Sequence, residues 1–265
     1  MKKQALARGF GLPISVGLVY FFLYIPIIVV IVFSFNDAHY AYVWRGFTTR
    51  WYYELWHSAE VWDALTNSLI VACSAVVLSL TMGVLVVWHG SHTALARLFP
   101  LFYGTLAAPE IVLAVGLLTL FSALDVELGF TSLIAAHTLL GLGYVVPMVH
   151  ARFSNLDKTL TEASLDLGAT RGQTFFKVIL PLLFPSLFAA GLLVFIISLD
   201  DFLISFFCSG ATAQTLPMYI FSMIRAGSTP VVNALSTVML VVSSIFVLGF
   251  SWIQVRRMGM RGVRL

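Results

Sequence analysis

Charge is the scarcest property of this sequence. Only 10% of its 265 residues are Asp, Glu, Lys or Arg, while 60% are hydrophobic. A water-soluble domain carries roughly 25% charged residues, so the shortage excludes that class and places the chain in a bilayer. Cysteine is nearly absent: Cys73 and Cys208 both fall in apolar runs and read as small packing residues. The net charge of +3 is too small to imply a nucleic-acid partner. No HExxH pattern or paired metal-ligand spacing accompanies His137 or His150, which argues against an intramembrane enzyme and against a metal site. A lone histidine in such a span reads as packing or interfacial. No sequence repeat or low-complexity tract stands out.

What the chain has is long apolar runs. A membrane-crossing helix needs about 20 mostly apolar residues. Six segments qualify, at about 13–35, 66–88, 98–121, 131–150, 183–207 and 231–254, and predict an all-α, six-span membrane protein with a single transmembrane domain over 1–265. The first run follows Lys2, Lys3 and Arg8, as a signal peptide does, but it is too long for one and no small-residue cleavage site follows. An uncleaved anchor is expected. With both termini in the cytoplasm, the inside positives are Lys2, Lys3, Arg8, Arg97, Arg152, Lys158, Arg171, Lys177, Arg256, Arg257, Arg261 and Arg264, and the outside ones only Arg45, Arg50 and Arg225. Twelve against three is a clear positive-inside bias, which five or seven spans would break.

The first outside loop, 36–65, carries Trp44, Trp51, Tyr52, Tyr53, Trp56 and Trp62. Such residues form an interfacial belt or a docking surface for an external partner. The last outside loop, 208–230, is amphipathic enough at its centre for a short surface or re-entrant helix. The longest inside loop, 153–182, holds complete local signals. Thr159 with Glu162 fits a capping box, Gly168 suits a left-handed helix end, and Thr170 with Gln173 fits a second box. The expected unit is a helix–turn–helix whose second helix runs to about Ile179 and stops at Pro181. Taken alone, it is either a connector packed on its own bundle or a docking element.

Within the fifth run, "VFIISLDDFLISFF" at 194–207 places Asp200 and Asp201 in hydrocarbon, and Glu110 follows Pro109 in the third run. A charge at the bilayer centre costs roughly 2.5–3.5 kcal/mol on insertion scales. No Lys or Arg lies inside any span to balance the three acids, so a cation, water, protonation or a partner subunit must. Residues one apart on a helix point about 100° apart. Ser198, Asp201 and Ser205 therefore share one face, and Asp201 is the better candidate for a wet pathway. Asp200 is expected at the pathway edge or capping a helix break. Phe195, Phe202 and Phe206 offer ring faces to a cation, and Pro109 would loosen the third helix near Glu110. Burial of the acids for assembly is the competing account.

Several stretches resemble a known family. Glu162-Ala163-Ser164, three residues, Gly168, nine residues, then Val178-x-Leu180-Pro181 resembles the EAA loop of ABC-transporter permeases of the binding-protein-dependent importer type. Ser164 and Val178 replace Ala and Ile of the family pattern. "LYIPIIVVIVFSFN" at 23–36, "WRGFTTRWY" at 44–52, "SLDDFLISFFCSG" at 198–210 and "LPMYIFSMIRAGSTPVVNALST" at 216–237 look like spermidine/putrescine permease subunits. The resemblance implies a type I importer (MetI-like) permease fold in a bacterial inner membrane. It also implies a coupling helix in a groove of a separate ATPase, with Glu162, Ala163, Gly168, Ala169 and Pro181 in the motif. The implied partners are an ATPase dimer, a second homologous permease, an extracytoplasmic polyamine-binding protein and membrane lipid. ATP and Mg would sit on the ATPase and no cofactor on this chain. Consistently, the nearest approach to a phosphate-cradling G-x-x-x-x-G-K-[ST] loop, "GATRGQT" at 168–174, has the wrong spacing and no lysine. The implied pathway residues are Asp201, Asp200, Glu110, Ser198 and Phe202, since polyamine ammonium groups separated by methylenes suit spaced carboxylates. The same architecture carrying iron, thiamine or phosphonate, and a self-sufficient cation carrier or channel, are the alternatives; unbalanced acids argue against an anion.

Overall fold

The computed structural model describes residues 2–38, 43–91, 93–227 and 230–261. They fall into two compact units, 1–59 with 220–265, and 60–219. The basic side chains of Lys2, Lys3, Arg8, Arg256, Arg257, Arg261 and Arg264 lie outside the described residues.

The first unit contains α1 (Lys2–Phe33), α2 (Arg50–His57) and α12 (Pro230–Arg261). Leu18, Phe21 and Phe22 of α1 are exposed, as a helix facing lipid requires. The loop after α1 is built around Asn36. Its side chain donates to Val43 O and accepts from Arg45 N, and its own carbonyl accepts from the Trp51 indole at 2.8 Å. An isolated bridge pairs Asn36 with Phe47, and the Tyr52 hydroxyl meets Ser34 Oγ at 2.6 Å. The aromatics expected as a loose belt thus divide: Trp51 is buried, while Trp44, Tyr53 and Trp56 remain exposed.

The second unit is organised around α6 (Phe130–Ser154), which packs against α9 (Leu180–Asp200), α4 (Phe99–Ala107) and α10 (Leu203–Cys208). Close approach follows from small residues. A methyl group at Gly83 of α3 (Ala59–Gly90) would lie 2.6 Å from Val145 Cγ1, and one at Gly143 would lie 2.7 Å from Thr105. Helices in lipid have no hydrophobic drive to associate, so this packing supplies the attraction. Two apolar clusters result, one centred on Val145, Val149 and Ile179, the other on Leu133, Ala136 and Ile204.

Among the described residues, four helices are long and apolar enough to cross a membrane, or five if a bent pair counts as one span. That pair is the expected third run, 98–121. It is two pieces, α4 and α5 (Glu110–Ala123), with a bend of 117° across the break. Ala108 is extended at φ −74°, ψ 136°, because the ring of Pro109 drives its predecessor out of the helical region. The expected fifth run is also broken: α9 ends at Asp200 and α10 begins at Leu203. Among the apolar helices, Pro230–Ile245 is shorter than a full span over its described residues. The expected helix in the last outside loop is α11 (Leu216–Ala226).

The inside loop departs from expectation twice. The first helix, α7 (Lys158–Asp166), is capped by Asp157, whose carboxylate accepts from Thr159 N, rather than by a Thr159–Glu162 box. Asp157 sits one residue before the helix with extended backbone, the geometry a cap needs. The chain also does not stop at Pro181. After α8 (Arg171–Thr174) comes a π turn, Phe175–Ile179, and the helix continues into α9. The wider turn accommodates a ring that would otherwise clash with the preceding carbonyl.

Candidate functional site

Glu110, Asp200 and Asp201 come together from two different breaks and line one cleft of about 280 Å³. Thr105 and Leu106 of α4, Ala108 at the first break, Leu113 of α5, Leu140 and Tyr144 of α6, and Ile196 and Ile197 of α9 complete its wall. No lysine or arginine is among these residues. Glu110 opens α5, where the helix N-terminus favours a negative charge. Asp200 closes α9, where the dipole disfavours one. Both are exposed.

Asp201 differs from its neighbour. It is only 5% exposed. Its carboxylate accepts from Ser205 N at 2.8 Å and from Ile204 N at 3.4 Å, two N–H groups in the first turn of α10. Such groups have no partner within their own helix. Asp201 is the more buried of the pair: its oxygens cap the break although it also borders the cleft, and Asp200, one residue earlier, is the acid more open to it. Capping was the part foreseen for Asp200.

The polar face written by Ser198, Asp201 and Ser205 exists, but it points inward. All three converge on His137 of α6, which is fully buried. The imidazole Nδ1 lies 2.7 Å from Ser198 Oγ, and Nε2 lies 3.2 Å from Ser205 Oγ and 3.5 Å from Asp201 Oδ2. The sequence alone reads His137 as packing or interfacial; the structure gives it three polar neighbours. The signal available was the polar face itself, since buried polar groups require partners and His137 is the histidine of the adjoining span. Phe202 is half-buried and its ring lies tilted against that of Phe206, with centroids 5.5 Å apart. The aromatic side chain in the cleft wall is instead Tyr144.

The loop motif is a second, separate feature. Gly168 has φ +84°. Gly168 N bonds Leu165 O and Ala169 N bonds Ser164 O, the paired bonds of a Schellman helix end. Thr170 and Gln173 then form the expected capping box. Ser164, the departure from the family pattern, meets Thr174 Oγ1 at 3.0 Å and ties the two helices together. The Thr159 N–H holds the Asp157 carboxyl below the usual carboxylate range. Glu162, Ala163 and Pro181 are exposed and Ala169 is half-buried. Leu167 is 89% exposed and Phe176 is 67% exposed, while Phe175 turns inward against Trp88.

This arrangement of broken apolar helices and a capped loop has relatives. Residues 75–258 match the family described as the binding-protein-dependent transport system inner membrane component, and the chain belongs to that family. More particularly, it is similar to the spermidine/putrescine transport system permease protein PotC of Escherichia coli K12, with 39% identity over 87% of this chain and 88% of the relative. It is also similar to the putrescine transport system permease protein PotI of the same strain, at 33% identity over 92% and 90%. Among solved structures, a bacterial alginate ABC transporter in complex with an alginate pentasaccharide-bound periplasmic protein shares the fold at a TM-score of 0.71, with 16% identity over 97% of this chain and 96% of that one. The inward-facing MetNI methionine ABC transporter gives 0.56 and 20%, over 77% and 96%. The chain is thus an ABC permease, a multi-pass inner-membrane transport component related to polyamine permeases.

Proposed function

We propose that this chain forms part of the translocation pathway of an ATP-driven polyamine importer, with Glu110 and Asp200 as the carboxylates that meet the substrate. The observation that carries this reading is their shared, exposed cleft with no base in its wall. A carboxylate at the C-terminal end of α9 is poorly placed until a cation offsets it. A polyamine ammonium supplies that charge, and its methylene chain suits the Leu113, Leu140 and Ile196 wall. Tyr144 offers a ring face or a hydroxyl beside the path. The similarity to PotC and PotI supports the substrate class.

In this reading the exposed Leu167 and Phe176 and the capped turn at Gly168 seat in a partner ATPase dimer, which holds ATP and Mg²⁺. A second homologous permease completes the pathway, and a binding protein delivers substrate from outside. Both termini lie in the cytoplasm. Closure of the ATPases moves α7, and the rigid turn passes that movement through the continuous helix from Arg171 to Asp200, which ends at the cleft. The test is uptake of labelled putrescine and spermidine by the reconstituted complex. Saturable, ATP-dependent uptake that falls in Asp200→Asn is expected. Saturable uptake of another solute, with neither amine taken up, would overturn the substrate.

A further inference from the structure

We infer that His137 is a positioning residue for the cleft: it pins the broken span on both sides of its break and thereby aims Asp200 away from Asp201. This rests on the cleft reading above. Ser198 lies before the break and Ser205 after it, and each meets a different nitrogen of the same buried ring, at 2.7 and 3.2 Å. Asp201, at the break itself, lies 3.5 Å from Nε2. One side chain on α6 thus spans the end of α9, the break and the start of α10.

Donor and acceptor roles follow from the groups present. On the Nε2 side stand the Asp201 carboxylate and Ser205 Oγ, both able to accept. On the Nδ1 side stands the Ser198 hydroxyl, able to donate. We assign the ring hydrogen to Nε2 and the lone pair to Nδ1. In that state the Asp201 oxygens receive the Ser205 and Ile204 N–H groups, with the imidazole N–H beside Oδ2. An anion in an apolar environment persists only when so surrounded.

The directional consequence is specific. With Asp201 held inward at φ −68°, ψ 124°, Asp200 is fixed as the last helical residue of α9, facing the cleft that Glu110 enters from the other break. A slack break would let the two aspartates exchange positions, and the spacing between exposed carboxylates would no longer be defined. A long, multiply charged amine would feel this more than a diamine. The other titratable groups near the pin are Glu110 of α5 and Cys208 of α10. Glu110 hydrogen-bonds the Asp201 side chain and lies within electrostatic reach of His137 and Asp200, and Cys208 lies within reach of Asp201.

Two conservative variants dissect the pin. Asparagine places its amide near the Nδ1 position, and glutamine reaches toward Nε2. Hydrogen–deuterium exchange on the assembled complex reads the break directly, without reference to substrate. His137→Asn should accelerate exchange of the 201–209 segment at least about tenfold while 138–154 of α6 keeps its protection; His137→Gln should stay within about threefold of the unsubstituted protein. Uptake kinetics should follow: in His137→Asn the half-saturation for a triamine rises more than for a diamine, with the maximal rate per assembled complex little changed. Wild-type protection of 201–209 in His137→Asn, or loss of protection along all of α6 in both variants, would overturn the pin. If the exchange pattern holds while the wild-type complex takes up no amine, the pin stands and the substrate reading fails.

Discussion

The inside loop and the break at Asp200–Asp201 solve the same problem, ending one helix and starting another, by opposite means. In the loop the capping partners are local. Asp157 caps Thr159, Leu165 and Ser164 accept from Gly168 and Ala169, and Thr170 pairs with Gln173. Water is available to whatever is left over. At the break the partners come from farther off: Asp201 caps from within, but its support arrives from His137, more than sixty residues away. A loop organised locally can move as a unit, as a coupling element must. A break organised by a neighbouring helix is fixed relative to that helix, as a binding cleft must be.

The largest effect expected from breaking this contrast is at Asp201. Asp201→Ala strands the Ile204 and Ser205 N–H groups in an apolar interior. Loss of a cap costs typically about 1 kcal/mol, and buried unsatisfied donors cost about 1–3 kcal/mol each. The yield of assembled complex and its thermal midpoint should both fall sharply, and uptake of every substrate should fall with them. An Asp201→Ala complex that assembles and melts like the original would refute the capping role.

Next comes the exposed pair. Asp200→Asn should reduce polyamine uptake roughly tenfold or more, since hydrogen bonds to charged groups are worth about 1.5–3 kcal/mol, while assembly stays normal. Glu110→Gln should act in the same direction and less, because a helix N-terminus supplies part of the field there. Comparing the two variants by uptake per assembled complex sharpens the division between the adjacent aspartates.

These differences explain how far the sequence could be read. The loop was legible almost throughout, because Gly168 and the Thr170–Gln173 box depend on residues within a few positions. Of its two misplaced signals, Thr159–Glu162 failed because Asp157 stood earlier and competed for the same N–H, and Pro181 did not stop the helix because a π turn precedes it. The apolar runs were legible too, and Pro109 marked the first break. The second break was marked only by the alternative that Asp200 caps one, since "SLDDFLISFF" contains neither proline nor glycine and the cap there is supplied by Asp201 beside His137. Helical spacing grouped Ser198, Asp201 and Ser205 correctly but could not say whether that face met water or another helix.

Effects in the loop should be smaller. Gly168→Leu forces a branched side chain into φ +84°, at a cost of roughly 1–2 kcal/mol, even though space around the residue is open. The strain lies in the backbone and not in a clash, so Gly168→Asn should recover much of the loss. Substrate-stimulated ATP hydrolysis and co-purification with the ATPase measure both. Smallest of all, Ser164→Ala restores the family residue and removes the bond to Thr174. About 0.5–1.5 kcal/mol of loop stability and little change in uptake are expected; protease sensitivity of the 158–174 segment would show it.

The central claim is that one aspartate of the adjacent pair meets the substrate and the other holds the helix. The ratio of triamine to diamine uptake, each as an initial rate per assembled complex, tests it in Asp200→Asn and Asp201→Asn side by side. Asp200→Asn should lower that ratio, because the longer cation loses one of its spaced carboxylates, while Asp201→Asn should lower assembly and leave the ratio unchanged. A changed ratio in fully assembled Asp201→Asn, with Asp200→Asn transporting both amines normally, would contradict the account.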